Sequence, residues 1–212
     1  MIKAALFDLD GVVFETESQY SIFWGMIGRE YHPEIPDFEY RIKGQTLVQI
    51  YDKYFSEDSV FAHIKGYTDV KSEQDKITTR LNEFEKNMSY PYITGFEDFI
   101  KDLKQNGVKC AVVTSSNVQK MQNVYRQHPE FKGYFDRVLT SEDFAKSKPD
   151  PDCYVRGAAC FDAKPEECVG LEDSFNGLKA VRAAGAFTLG LSTTNSKESI
   201  ELFSDYVIAD YT

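Results

Sequence analysis

The sequence predicts an α/β fold in which a doubly wound parallel sheet carries an inserted helical domain. Residues 4–7 and 108–114 are almost unbroken apolar runs, which are typical of strands buried on both faces of a parallel sheet. Helical patterns alternate with such runs along the chain, as they do in βαβ units. Residues 16–89, in contrast, contain helical patterns but no convincing strand, and this predicts the insert.

The first elements are a strand at residues 4–7 and a helix that begins near Thr16. The apolar face of this helix has the i, i+3, i+4 and i+7 spacing and is formed by Tyr20, Phe23, Trp24 and Ile27. This face is expected to pack in the insert's own apolar core. Further helical stretches are expected at residues 46–55, 60–70 and 72–88. The predicted domains are therefore a core of residues 1–15 plus 90–212 and a helical cap of residues 16–89. The two short connections between them suggest a hinge.

The second part of the chain alternates helices with apolar strands. Helices are expected at residues 95–106, 151–161 and 175–184, and another begins near Val118 and is broken at Pro129. Gly107 and Gly185 follow two of these helices and are typical C-terminal signals. The expected strands lie at residues 108–114, 135–140, 168–171, 186–191 and 206–208.

Composition limits the function classes. The formal net charge of −10 argues against general binding to nucleic acid or anionic membranes, because both need basic surface. An anionic substrate would need a metal ion and local lysines to reverse the sign of the charge at the site. No secretory signal is expected before the first strand, and no apolar stretch approaches the roughly 18 residues that cross a bilayer. Buried free thiols are expected at the cysteines, which are Cys110, Cys153, Cys160 and Cys168, and they predict a reducing, cytoplasmic location.

Asp8 and Asp10 follow the first strand and are the first candidate site. Side chains at i and i+2 of an extended segment point the same way, so two carboxylates would face one pocket at the carboxyl end of a strand. Gly11 allows a sharp turn directly afterwards. Carboxylates this close repel each other, which predicts a bound cation or a shared proton. The alternative is a strand that simply ends in two solvated acids or in a helix cap.

Three later segments also follow predicted strands or lie in loops of the core. Residues 114–117, TSSN, offer hydroxyls and backbone N–H groups for an anion, although helix capping explains the same residue types. Lys148, which precedes Pro149 and Pro151, can place a positive charge on a phosphate or on the pocket carboxylates, or can be solvated. Glu172 and Asp173 offer the hard oxygen ligands that Mg²⁺ prefers, although Asp173 can also cap the next helix.

Four segments of the sequence resemble the motifs of the haloacid dehalogenase (HAD) superfamily. They are DLDGVVFETE, VVTSSN, SKPDPD and GLEDSFNG. The order of these segments and the helical insert between the first and the second resemble the β-phosphoglucomutase-like branch of phosphatases and mutases. The resemblance covers essentially the whole chain and implies an HAD-like, Rossmann-type core with a cap.

The resemblance also implies roles for individual residues. Asp8 would be the nucleophile that becomes an aspartyl-phosphate, and Asp10 would be the general acid and base whose backbone carbonyl joins the metal. Thr114 and Lys148 would hold the transferring phosphoryl group. The implied cofactor is Mg²⁺, with the metal residues Asp8, Asp10, Asp173 and Glu172, the last as a direct ligand or a supporting group. Dehalogenation is not expected, because the family's dehalogenases lack the second Asp.

The cap is expected to choose the substrate. In the sugar-phosphate mutases of this branch, a His follows the first motif and an Arg binds the distal phosphate, but this chain has Tyr20 and Leu47 at those places. The resemblance therefore favours a phosphatase for a small phosphorylated metabolite, a sugar phosphate, in a monomer or weak homo-oligomer. A sugar phosphomutase and a non-catalytic binding protein are the alternatives. Further substrate-binding candidates are Ser115, Asn117, Lys43 and Gln45; for the last two, a solvated turn is the alternative.

Overall fold

The computed structural model describes residues 2–43, 45–59 and 69–212. The chain divides into two compact units. The α/β unit comprises Met1–Thr16 and Ser89–Thr212, and the helical unit comprises Glu17–Met88. Among the helices of the described residues, none is both long and apolar enough to cross a membrane.

The α/β unit is built on one parallel sheet. Its strands are β1 (Ala4–Phe7), β2 (Lys109–Val113), β3 (Arg137–Leu139), β4 (Cys168–Glu172), β5 (Phe187–Leu191) and β6 (Tyr206–Ile208). They lie in the order β3-β2-β1-β4-β5-β6, and each neighbouring pair is parallel. The predicted doubly wound parallel sheet is therefore confirmed, with β1 at its centre.

The described helices are α1 (Glu17–Tyr31), α2 (Phe38–Arg41), α3 (Leu47–Tyr54), α4 (Val70–Asn87), α5 (Phe96–Gln105), α6 (Val118–Gln127), α7 (Phe131–Tyr134), α8 (Asp152–Ala159), α9 (Phe175–Ala184) and α10 (Lys197–Ile200). Three short 3₁₀ turns cover Ser141–Asp143, Pro165–Glu167 and Glu201–Phe203. Gly185 ends α9 with φ of 89°, as expected of a C-terminal glycine.

Both faces of the sheet are covered, which explains the unbroken apolar character of β1. All four residues of this strand are fully inaccessible to solvent. On one face, Leu6 packs in a cluster that includes Tyr154 of α8 and Val181 of α9. On the other face, the ring of Phe7 lies 6.1 Å from the ring of Phe96 in α5, in an edge-to-face arrangement.

An acid outside the motifs ties β2 to the start of β3. The carboxylate of Asp136 accepts a hydrogen bond from the backbone N–H of Cys110 at 3.0 Å and lies 3.2 Å from the ammonium of Lys109. Burial opposes the ionisation of this carboxyl group, but the N–H of Cys110 and the ammonium of Lys109 outweigh burial and lower the pKa of Asp136.

The helical unit has its own apolar core. Phe23, Trp24 and Ile27 of α1 are buried in it, as the spacing predicts, and Tyr20 packs against it. Thr46 begins α3 with a capping box, in which its side chain accepts from the backbone of Gln49 and the Gln49 side chain accepts from the backbone of Thr46.

Several local expectations need correction. Helix α2 and helix α7 are not predicted from the sequence, because each is a single turn without an apolar repeat. Most other boundaries move by one or two residues. A helix is expected at residues 60–70, but residues 60–68 lie outside the described residues. Cys160 is exposed rather than buried because it follows the last residue of α8, whereas Cys110, Cys153 and Cys168 are buried.

Candidate active site

Asp8 lies immediately after β1, at the carboxyl end of the central strand. Its backbone N–H continues the sheet by donating to the carbonyl of Leu171 at 3.0 Å. Its carboxylate accepts a hydrogen bond from the ammonium of Lys148 at 2.6 Å. Burial raises the pKa of Asp8 to about 7, although the ammonium of Lys148 opposes this shift.

Lys148 is the buried cation of this cluster. Its ammonium donates to Asp8, to the backbone carbonyl of Val113 at 3.1 Å and to Glu172 at 2.5 Å. It also lies 5.2 Å from the centre of the Tyr154 ring. Burial works against the charged form, but the two carboxylates outweigh it and raise the pKa of Lys148. The neighbouring Lys148–Pro149 peptide bond is cis.

Glu172 is the last residue of β4 and is completely buried. One carboxylate oxygen accepts from Lys148 and from the hydroxyl of Tyr154, the latter at 2.7 Å. The other accepts from the backbone N–H of Asp173 at 3.2 Å and from the hydroxyl of Ser174 at 3.2 Å. Both oxygens are therefore held by protein donors, which makes Glu172 better suited to fixing Lys148 than to binding a ligand.

Asp173 follows Glu172 and is held by the loop after β5. One of its carboxylate oxygens accepts a hydrogen bond from the hydroxyl of Thr194, and its backbone carbonyl accepts from the side chain of Asn195 at 2.9 Å. The same loop reaches the first motif, because the hydroxyl of Thr193 donates to the carbonyl of Gly11 at 2.5 Å. This loop is not predicted as part of the site, since Thr and Asn are common in loops and carry no distinctive spacing.

The backbone at Gly11 also depends on glycine. Its φ is 73°, a left-handed conformation that residues with a side chain rarely adopt. A Cβ at this position would overlap the carboxylate of Asp173 and lie 2.8 Å from the hydroxyl oxygen of Thr194. The turn after Asp10 can therefore approach the end of β4 only without a side chain.

The acidic groups of Asp8, Glu172 and Asp173 form a cluster in which one ligand atom from each lies within 4.8 Å of the others. Carboxylate oxygens are the ligands that Mg²⁺ prefers, usually one or two of them together with waters and substrate oxygens. Asp8 and Asp173 meet that requirement. The donor set therefore fits Mg²⁺, and Glu172 supports this set by holding Lys148.

Asp10 is held in place by three side chains. One oxygen accepts from the hydroxyl of Thr16 at 2.5 Å, and the other accepts from the hydroxyl of Ser116 at 3.1 Å. The ammonium of Lys120 donates to both oxygens, at 2.6 and 2.5 Å. Burial opposes ionisation, but Lys120 outweighs it and lowers the pKa of Asp10.

The sequence of this chain matches a known protein family. The profile of the haloacid dehalogenase-like hydrolases matches residues 2–185. The chain belongs to this family. Its curated relatives include β-phosphoglucomutase of Bacillus subtilis (strain 168), which is 28% identical over 202 residues covering 90% of this chain and 83% of the relative. Another is validoxylamine A 7'-phosphate phosphatase of Streptomyces hygroscopicus subsp. limoneus, 24% identical over 100% of this chain and 95% of the relative.

The fold of this HAD-like hydrolase is similar to that of solved family members. An HAD hydrolase of family IA, variant 3, from Entamoeba histolytica HM-1:IMSS has a TM-score of 0.81 to this chain. The likeness covers 99% of this chain and 94% of the other at 18% identity, and therefore concerns the fold. Together these findings confirm the predicted family, the α/β fold and the enzyme class of an HAD-type phosphatase.

The structure gives the local contacts of the second motif of this HAD-like hydrolase. Thr114 is buried, and its hydroxyl accepts from the backbone N–H of Ser116 at 3.0 Å. Ser116 is the serine that contacts Asp10, whereas Ser115 is exposed. The side chain of Asn117 caps α6 by accepting from the backbone N–H of Lys120 at 2.8 Å. Substrate contact by Ser115 and Asn117 stays a prediction.

Lys43 and Gln45 belong to the helical unit of the hydrolase. The ammonium of Lys43 lies 3.8 Å from a carboxylate oxygen of Glu17 and 5.4 Å from the centre of the Tyr40 ring. The side-chain amide of Gln45 donates to the carbonyl of Arg41 at 2.7 Å. These contacts lie within the helical unit, and the substrate-binding roles of the two residues stay predictions.

Proposed function

We propose that this HAD-type phosphatase hydrolyses a small phosphorylated metabolite, such as a sugar phosphate, through a phosphorylated Asp8. The observation that carries the proposal is the buried pairing of Asp8 with Lys148 at 2.6 Å, beside Asp173 at the carboxyl edge of the sheet. A carboxylate nucleophile divides phosphoryl transfer into two easier steps, and a nearby ammonium offsets the charge of the phosphoryl oxygens.

In the first step, a carboxylate oxygen of Asp8 forms a bond to phosphorus. The bond from phosphorus to the leaving oxygen breaks, and that oxygen takes a proton from Asp10, which enters this step in its protonated form. In the second step, water attacks the same phosphorus, Asp10 accepts the proton of the water, and the bond to Asp8 breaks. The steps release an alcohol and inorganic phosphate, and return both carboxyl groups to their starting states.

Asp8 and Asp173 would hold Mg²⁺, and the backbone carbonyl of Asp10 is a further proposed ligand. When bound, the ion would offset the negative charge of the phosphoryl group and favour the ionised form of Asp8. Lys148 would add its own positive charge, fixed in place by Glu172.

Two positions in the helical unit support hydrolysis over mutase activity. Tyr20 donates its hydroxyl to Glu85 at 2.8 Å, so it does not replace the His of the mutases as a ready proton acceptor. Leu47 packs against the apolar core of the helical unit and offers no charge for a distal phosphate. The similarity to a β-phosphoglucomutase nevertheless makes the mutase the second candidate.

The test is the release of inorganic phosphate from a panel of sugar phosphates, nucleotides and pyrophosphate, with Mg²⁺ or with a chelator. Sugar phosphates with Mg²⁺ should be the best substrates, and Asp8→Asn should lower turnover by about 1,000-fold or more. Asp98→Asn, an exposed acid on α5, is the control and should keep full activity. Isomerisation of β-glucose 1-phosphate with a bisphosphate primer would favour the mutase, and near-normal turnover by Asp8→Asn would refute Asp8 as nucleophile.

A further inference from the structure

Lys120 is a buried lysine that lies outside the four family motifs. Lys120 is only 3% exposed, and its ammonium lies 2.6 and 2.5 Å from the two carboxylate oxygens of Asp10. Lysines are rarely buried to this extent unless they are paired with an acid. The pair joins residues 110 positions apart in sequence, so it depends on the packing of α6 against the first motif.

The position of Lys120 within α6 is unfavourable for the helix itself. Asn117 is the N-cap, which makes Lys120 the third residue of the helix. The first turn of a helix carries partial positive charge and favours acidic residues, so a buried lysine there opposes the helix dipole. Helix stability therefore does not account for a lysine at this position, whereas the contact with Asp10 does.

The two buried lysines of the site form ion pairs with different acids. Lys148 contacts Asp8 and Glu172, and Lys120 contacts Asp10. Thr16 and Ser116 each donate to one oxygen of Asp10, whereas Lys120 donates to both. Lys120 is thus the donor that determines the orientation of the whole carboxyl group.

We propose that Lys120 is a positioning residue that holds the carboxylate of Asp10 in place to accept the proton of the attacking water. This inference rests on the proposed function, in which Asp10 is the general base of the second step. Without Lys120, each oxygen of Asp10 keeps one hydroxyl donor, but the carboxylate loses a contact that spans both oxygens. A misplaced base then activates water poorly, while Asp8 and Lys148 still receive the phosphoryl group.

The two steps of the reaction provide the test. Because 4-nitrophenyl phosphate releases a stable phenolate with little help from an acid, only the second step of its turnover depends strongly on Asp10. Lys120→Met should therefore slow the hydrolysis of phosphorylated Asp8 about 10-fold or more in rapid-quench experiments with this substrate. The phosphorylation of Asp8, followed by the burst of 4-nitrophenolate, should slow by less than about 3-fold. Lys101→Met, which removes an exposed lysine paired with Asp98, is the control and should change neither rate.

A double variant separates positioning from a general structural effect. If Lys120 acts through Asp10, adding Lys120→Met to Asp10→Asn should cause no further loss of rate. Equal slowing of the two steps, or additive losses in the double variant, would overturn the proposal. Lys120→Gln keeps a polar end at this site and provides the same comparison if Lys120→Met does not fold.

A crystal structure of Lys120→Met supplies a readout that does not depend on turnover. The carboxyl group of Asp10 should leave its contacts with Thr16 and Ser116. An unchanged Asp10 would overturn the positioning role even if the wild-type enzyme is active. Conversely, a wild-type protein that hydrolyses no phosphate ester would refute the proposed function, while the crystallographic comparison would still decide whether Lys120 positions Asp10.

Discussion

Gly177 in α9 lies against the buried carboxyl group of Glu172, and replacing it with alanine should disturb the centre of the site. A Cβ at Gly177 would overlap atoms that all belong to this carboxyl group. A side chain end can often move aside, but Glu172 is completely buried and held by Lys148 at 2.5 Å and Tyr154 at 2.7 Å. The added methyl group therefore cannot be accommodated without breaking one of these contacts.

The magnitude follows from two opposing effects. Overpacking a close-packed interior costs up to about 3 kcal/mol in free energy of unfolding, and a locked, buried ion pair favours the upper end. Alanine returns up to about 1 kcal/mol, because it is a better helix former than glycine. The net loss is about 2 kcal/mol, which lowers the melting temperature by about 4–8 °C for a chain of this size. Displacing Glu172 also moves Lys148, and a misplaced catalytic group can cost about 100-fold in turnover.

Gly133→Ala in α7 is the matched control. Apart from its chain neighbours and its own helix backbone, no heavy atom of the described residues lies within 4 Å of a Cβ at this position, so the substitution changes helix propensity without overpacking. Thermal melts of the two variants and the wild type, with release of inorganic phosphate as the activity assay, make the comparison. Gly133→Ala should be neutral or slightly more stable, with full activity. The reasoning would be refuted if Gly177→Ala matched the control in both stability and turnover.

Two further substitutions test the pH-dependent contact of Asp136 and the loop after β5 that holds Asp173. The lowered pKa of Asp136 means that its contribution to stability is present above the unfolded-state pKa of about 4 and is lost as the pH falls through the lower folded-state pKa. Asp136→Asn should therefore reduce stability to urea at pH 7, with the difference shrinking below about pH 4. Thr194→Val removes the hydroxyl that donates to Asp173 and should raise the Mg²⁺ concentration for half-maximal activity by roughly 10-fold.

Each of these two substitutions has a control on the surface. Asp98→Asn removes an acid whose side chain is 95% exposed, and its stability difference from the wild type should be small at every pH. Thr79→Val changes an exposed threonine of α4 and should leave the Mg²⁺ requirement unchanged. A pH-independent loss in Asp136→Asn, or an unchanged Mg²⁺ requirement in Thr194→Val, would contradict the respective assignments.

Much of the fold follows from local patterns in the sequence. Residues 4–7 are apolar on both faces because β1 lies at the centre of a sheet that is covered on both sides. The helix at Phe175–Ala184 ends where Gly185 permits a left-handed residue. Single-turn helices such as α2 lack such a signal, since four residues do not complete an apolar repeat.

The sequence by itself determined which segments could carry chemistry, because acids and a lysine that follow parallel strands are brought to one edge of a sheet. Only the tertiary structure decided which side chains meet there. Spacing alone does not distinguish Ser116 from Ser115, and it gives no reason to connect Lys120 with Asp10 or Thr194 with Asp173. The physical reason is that these contacts depend on the direction in which a loop or helix turn presents each side chain, and that direction is set by packing between segments distant in sequence.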